Sequence, residues 1–505
     1  MLHNKNNQQS IPSAHLSDLT KHEDEFIEMA DTTKQDPEAV ASVEARHTPE
    51  EEKAFVRKLD RRVLPWIMLL YLLSYLDRSN LGNSVALGIK KDLNLVGTDY
   101  EWASAMFYVA TFCFGTVGGL MLKIVKPSYY LGGCCIGWGM MAALQATAKG
   151  FGSLAGIRFL LGLFEASFAP GCAFYLSFWY TKHELVLRIA AYAGTSALSG
   201  VIGGLISYGF GTASNHPLKR WQWLFISEGI PTIVIGLITP FVLADRPEVE
   251  KPKWLSEAEL AIAMDRRTRY VKNASDPGVN WKQVGMTFLD YRLWLFAVLY
   301  SGLSLSLAVI AIFLPSLLGV MGYASYKANL MTVPPYAVGY FGLLLISWLS
   351  DRYRQRGFPI AIASTIGGAG YLIVGLVKES KVRYFGAFMA VAGTYWSFPL
   401  VLGWISNTFA TDSKSATGLG VVIAVTHAVG IAAAHIYPTK DSPQYRTGSI
   451  VSAALMFASC ASALFMRSLL DRENKKRDAK YGIAEADGAV LGSEGDKDAN
   501  MRYIL

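Results

Sequence analysis

The chain has 505 residues, 52% of them hydrophobic and only 17% charged, with a mean hydropathy of +0.27. Soluble domains carry about 25% charged residues, so the bulk of this chain is built for lipid and a soluble enzyme is excluded. The formal net charge of +7 does not indicate a nucleic-acid partner, because the bases cluster beside the apolar runs, where membrane topology accounts for them.

The N-terminal stretch is polar and has no apolar h-region, so no cleavable signal is expected and the first span serves as the insertion signal. Residues 1–50 and 471–505 lack apolar periodicity and read as disordered tails, the first reaching to about residue 60. Between them lie twelve apolar runs of about the length a bilayer core requires. They cover 63–88, 101–122, 129–147, 151–179, 189–211 and 221–243, then 292–318, 328–349, 359–377, 382–406, 416–437 and 449–469. The fold predicted is all-α and integral to the membrane, with six-helix bundles over 61–243 and 292–470 joined by a linker over 244–291. In the linker Ser256 and Glu259 have the spacing of a capping box, which predicts a short helix at the membrane surface. The bases Lys53, Arg57, Lys58, Arg61 and Arg62 before the first span, and Arg467, Arg472, Lys475, Lys476 and Arg477 at the last, place both termini in the cytoplasm.

The first span contains Asp77 and Arg78 side by side, followed by Asn80 and Asn83. An acid or a base near a span's centre costs roughly 2.5–3.5 kcal/mol on insertion scales, and such residues face a protein interior or a watery cavity. The fourth span adds Arg158 and Glu165. Seven residues apart, they share a helix face to within about 20° but lie nearly two turns from each other. Each needs a partner elsewhere, and Asp77 and Arg78 are the expected ones. A membrane-embedded carboxyl changes charge on protonation, whereas arginine stays charged and holds a carboxylate with a fork of donors. The set reads either as two ion pairs locking helices together or as a proton and anion site.

In the second half, spans seven and ten carry no deep acid or base and offer Ser301, Ser304 and Ser306, then Thr394, Tyr395, Trp396, Ser397 and Trp404. His427 and His435 lie two turns apart on span eleven. Glu228, before Gly229 and Pro231, reads as a pin for the start of span six. Gly194, Gly200, Gly203 and Gly204 permit close helix approach, and Pro231, Pro315, Pro334, Pro335 and Pro399 interrupt helices as cavity-lining spans allow. The five cysteines fall in apolar stretches without metal-ligand spacing, and no metal or cofactor is expected. Neither GxxxxGK[ST], HExxH nor GxSxG occurs, so ATP-driven transport and these hydrolase chemistries are excluded. Asn273-Ala-Ser is a glycosylation sequon by pattern, left idle by a cytoplasmic linker.

Several segments carry a family likeness: Arg61-Arg-Val-Leu-Pro, Tyr75-Leu-Asp-Arg-Ser-Asn-Leu-Gly-Asn, Arg158-Phe-Leu-Leu-Gly-Leu-Phe-Glu-Ala and Pro170-Gly. Further ones are Trp221-Gln-Trp-Leu-Phe-Ile-Ser-Glu-Gly-Ile-Pro, Asn329-Leu-Met-Thr-Val-Pro-Pro-Tyr, Asp441-Ser-Pro-Gln-Tyr and the final Arg502-Tyr-Ile-Leu. With these, the chain resembles the major facilitator superfamily. Within it, it is similar to the anion:cation symporters, in the fungal branch of allantoate, nicotinate and pantothenate permeases. The resemblance implies two halves rocking around a midplane site. It implies Asp77 and Glu165 as proton-coupling residues, and Arg78, Asn80, Asn83, Arg158, Tyr395 and His427 around the substrate. Of the superfamily's loop signature, the copy after span eight keeps Asp351, Arg352 and Arg356 as gating residues. The copy after span two is eroded to Gly119-Leu-Met-Leu-Lys-Ile-Val-Lys-Pro.

The function expected is proton-coupled uptake of a small organic anion, a carboxylate such as a vitamin, allantoate or a nicotinate-like compound, by a monomer in the plasma membrane. The alternatives are an exporter of a fungal metabolite and a nutrient receptor that transports little.

Overall fold

A backbone crossing lipid must satisfy its own hydrogen bonds, and each of the twelve apolar runs is met by a helix. The computed structural model describes residues 47–115, 125–166, 168–212, 217–245, 252, 254–272, 281–323, 325–409, 412–438, 441–482 and 502–505. We label the long helices in chain order. The first six are α1 Leu64–Ala86, α2 Asp99–Phe114, α3 Pro127–Leu144, α4 Phe151–Glu165 with its continuation Phe168–Leu176, α5 Lys182–Thr212 and α6 Arg220–Val242. The second six are α7 Tyr291–Val320, α8 Ser325–Tyr353, α9 Gly357–Leu376, α10 Ser380–Thr408, α11 Asp412–Ala433 and α12 Arg446–Tyr481.

Among the described residues eight helices are long and apolar enough to cross a membrane by length and composition alone. α1 is not one of them: Asp77, Arg78, Asn80 and Asn83 make it less apolar than its neighbours, and its buried residues include Ser74, Asp77, Ser79, Asn80, Asn83 and Ser84. The interior prolines Pro231, Pro240, Pro315, Pro334, Pro335 and Pro399 all lie within helices.

The described part of the chain opens with the helix Pro49–Arg62. That helix occupies the end of the stretch expected to lack structure. Its acidic first turn and basic last turn complement the helix dipole, and Leu59 is fully buried. α12 likewise runs on to Tyr481, past the apolar run that announced it. The remaining tail expectations, the sequon Asn273, and the eroded loop signature over 119–124 lie outside the described residues.

The linker helix Glu257–Lys272 begins with the predicted capping box: Glu259 N–H donates to Ser256 Oγ at 3.1 Å, and Ser256 N–H to Glu259 Oε2 at 2.8 Å. Ion pairs tie this helix to the first half, Lys58 to Glu259 at 2.7 Å and Arg266 to Glu184 at 2.5 Å. Burial pushes the Glu259 carboxyl up, but the bonds from Lys58 and Ser256 outweigh it and hold the group below its ordinary value.

The halves meet along α1 with α7, α5 with α8 and α2 with α11. Cross-half bonds gather where α1 and α7 end and α8 begins. Asn329 donates to Asn83 O at 3.1 Å and to Ser207 Oγ, and Tyr100 donates to Ile312 O at 3.2 Å. Glycine is required at Gly82, where any Cβ would overlap Ala311 O and sit 3.0 Å from Ile312 O.

Within the second half, residues 502–505 return to the helices. Tyr503 is buried, and its hydroxyl accepts from Arg292 at 2.6 Å and Arg477 at 3.2 Å. Its backbone pairs twice with the Asn474 amide. Trp404 Nε1 donates to Ile504 O at 2.9 Å, and Arg356 N–H donates to Leu505 O.

Candidate functional site

Successive residues of a helix point about 100° apart, so Asp77 and Arg78 take different hydrogen-bond partners. Arg78 turns to α4. Ser74, one turn earlier on the same face, turns with it, and both reach Glu165. Glu165 Oε1 accepts from Ser74 Oγ at 2.6 Å, from Arg78 Nε at 3.1 Å and from Arg78 Nη2. Glu165 Oε2 is buried with no partner, leaving one oxygen heavily loaded and the other unused.

The Arg78 guanidinium lies 4.3 Å from the Tyr75 ring centroid and 4.8 Å from that of Phe107. Phe107 also receives Arg158, at 5.3 Å. One α2 ring thus serves two cations, which stabilises each by about 1–2 kcal/mol in a partly desolvated setting. The approach depends on Gly162, where a Cβ would lie 2.5 Å from Phe107 O. Arg158 is 1% exposed, and its Nε and Nη1 have no hydrogen-bond partner among the described residues.

Asp77 turns the other way, to α6. Its Oδ2 accepts from Thr232 Oγ1 at 3.0 Å, and its Oδ1 is buried without a partner. Of the two ion pairs expected, Arg78 with Glu165 forms, and no Asp77–Arg158 pair is present among the described contacts. Arg158 sits about 10 Å along the α4 axis from Glu165, and Asp77 faces α6 rather than α4.

The other predicted site residues are spread out. Asn80 is fully buried, its amide unpartnered. Asn83 lies at the α1–α8 seam, where its carbonyl accepts from Asn329. Tyr395 packs against Tyr336, 5.8 Å between centroids, in a core that joins the second half to Ala197 of α5, and the Arg78 charge acts on it. His427 faces the first half: a Cβ on Gly115 would stand 3.8 Å from its Nδ1, and the Arg78 charge acts on it. His435 bonds to Ile431 O and stacks edge-on with Trp102. The residues expected to gate, Asp351, Arg352 and Arg356, lie at the α8–α9 turn, where Arg356 pairs with Asp351 and donates to Ser350 Oγ at 3.1 Å, and Arg352 lies 5.5 Å from the Trp348 ring.

Phe107, Tyr75, Ser74 and Thr232 were not singled out from the sequence. Ser74 and Tyr75 stand four and three residues before Arg78, a spacing that marks them as its helix-face neighbours. Nothing local marks Phe107 or Thr232. Of the hydroxyl groups that spans seven and ten offer, Ser306 is buried in bonds to Tyr371 at 2.7 Å and Thr394 at 2.5 Å. Among the described residues no group of three or more His, Cys, Asp or Glu is placed to hold a metal.

Two six-helix halves, with Asp77, Arg158, Glu165 and Glu228 buried in the first, have the architecture of a membrane transporter. Residues 67–435 match the Major Facilitator Superfamily, and the chain belongs to that family. It is 33% identical over 452 residues to the MFS transporter prlL of a fungal species (strain NRRL 50135), covering 86% of this chain and 90% of that one. It is 31% identical over 428 residues to the high-affinity nicotinic acid transporter of Saccharomyces cerevisiae, covering 85% and 80%. The fold is similar to the partially occluded, inward-open xylose transporter XylE from E. coli, with a TM-score of 0.64 at 13% identity, covering 80% and 96%.

Proposed function

We propose that this transporter imports a small organic carboxylate together with protons, as a member of the anion:cation symporter branch. The observation that carries the reading is the buried Arg78–Glu165 pair. While Glu165 is ionised, it occupies the guanidinium that a substrate carboxylate needs. A proton on Glu165 removes its charge and frees Arg78, which Tyr75 and Phe107 hold in place for the anion. Arg158, buried and short of partners, supplies a second cation beside Phe107. Asp77 is the second proton carrier. Tyr395 and His427, both within reach of the Arg78 field, contribute the second half's side of the site. Asn80 and Asn83 extend it along α1.

In this reading the bundles are 61–243 and 292–470, flanked by cytoplasmic tails over 1–60 and 471–505 and joined by the cytoplasmic linker 244–291. The protein is a plasma-membrane monomer, and the seam at Asn83 and Asn329 is the closed outer gate. Asp351, Arg352 and Arg356 belong to the inner gate. The nicotinic acid transporter among its relatives makes nicotinate the first probe.

The test is uptake by a transporter-deficient yeast host, with labelled nicotinate, allantoate and pantothenate at two external pH values. Acid-stimulated uptake of at least one, lost in Arg78→Gln, is the expected result. Normal uptake by Arg78→Gln removes the anion site, and uptake indifferent to an imposed pH gradient removes the coupling. Efflux from preloaded cells without uptake makes the protein an exporter.

A further inference from the structure

The linker closes with a second helix, Trp281–Phe288, which ends two residues before α7 begins. It packs on α11, and its Thr287 is fully buried. Another side of it is bare. Trp281 is 77% exposed, Phe288 is exposed, and Leu289 just beyond is 88% exposed. Trp281 and Phe288 are seven residues apart, so they project from one side of the helix to within about 20°. Gly285 lies between them, and a Cβ added there would meet nothing within 4 Å. The other linker helix, Glu257–Lys272, behaves differently: its Ile262 and Ala263 are buried, as is Leu255 just ahead of it. Large apolar side chains grouped on an uncovered face mark a surface that meets a partner.

The turn into α7 decides what that partner is. Three Cα steps separate Phe288 from Tyr291, a reach of at most about 11 Å, so the short helix cannot stand clear of the membrane that α7 enters. On α7, Tyr291, Trp294 and Val298 are exposed at i, i+3 and i+7, which in a membrane span is a lipid-facing stripe. Trp294 Nε1 donates to Phe288 O at 2.9 Å and joins this stripe to the end of the short helix. Indole rings, apolar in body with one donor at the edge, settle at the level of the headgroups. Lys282, exposed on the same helix, matches the headgroup phosphates.

We propose that Trp281–Phe288 is an interfacial anchor, laid along the bilayer with Trp281, Phe288 and Leu289 set into the boundary between headgroups and acyl chains. Its partner is the phospholipid surface beside α7. The two linker helices then belong to different halves. Glu257–Lys272 is ion-paired to the first, and Trp281–Phe288 is packed on α11 of the second and held down by lipid. The anchor stands whatever the substrate and whichever way it is carried.

The experiment is tryptophan fluorescence of the purified full-length protein in phosphatidylcholine vesicles. Two quenchers are compared: bromines on the upper part of the acyl chains, and iodide in the water on both sides of the membrane. The emission of wild type minus that of Trp281→Phe isolates Trp281 from the other tryptophans. The expected result is a difference emission largely lost in brominated vesicles and unchanged by iodide. Adding Phe288→Trp to Trp281→Phe moves the indole two turns along the same side, and its emission should be quenched in the same way. Loss to iodide without loss to bromine puts the helix in water and overturns the anchor. A difference emission that neither quencher touches puts the helix under protein, from elsewhere in this chain or from a second copy, and overturns it as well.

Discussion

Removing one member of the Arg78–Glu165 pair should cost more on one side than on the other. The Glu165 side chain is 1% exposed, against 19% for Arg78. Arg78→Gln strips Glu165 Oε1 of two donors and leaves only Ser74 at 2.6 Å. A buried charge left uncompensated costs about 3–5 kcal/mol. Glu165→Gln strands Arg78 instead, but Arg78 keeps the faces of Tyr75 and Phe107 and some solvent. Two aromatic faces at about 1 kcal/mol each bring that loss nearer to ~2 kcal/mol. The double variant removes both charges and should fall short of the summed losses by roughly 2–3 kcal/mol. Thermal unfolding of the purified protein, followed by tryptophan fluorescence at neutral pH, measures the ordering. Additive losses, or a larger loss for Glu165→Gln than for Arg78→Gln, refute the argument.

Two other predictions lie away from the pair. Gly82→Leu drives a side chain into the Ala311 and Ile312 carbonyls, so it should destabilise the closed seam by about 1–3 kcal/mol. An Asn83→Cys reporter should then label faster with a membrane-impermeant maleimide, and unchanged labelling refutes the seam. Glu259 is held below its ordinary value, so its contribution is present above about pH 4.5 and fades as pH falls through its folded value. The pair is half-exposed and should contribute less than about 1 kcal/mol. The melting difference between wild type and Glu259→Gln should therefore close in acid, and a gap that persists there means Lys58 is not its source.

Hydropathy alone located the helices labelled α1 to α12, because a single apolar span in lipid pairs its backbone within itself only as a helix. The cost of Asp77 and Arg78 in such a run likewise announced a site. What the sequence could not assign was which charge meets which. Adjacent residues diverge by about 100°, so Asp77 and Arg78 face α6 and α4, and only the packed arrangement tells Thr232 from other span hydroxyls. Phe107 escaped for a similar reason, since one more phenylalanine in an apolar helix has no local mark. The docked segment 502–505 escaped because four residues have no periodicity to read.

That segment has a mechanical consequence. Tyr503, Ile504 and Leu505 bond to α7 through Arg292, to the start of α9 through Arg356, to α10 through Trp404 and to α12 through Asn474 and Arg477. Helices far apart in the chain are cross-tied at one end, like staves under a hoop. A displacement imposed on any one of them is shared with the rest, so this end of the bundle resists splaying and turns as a block.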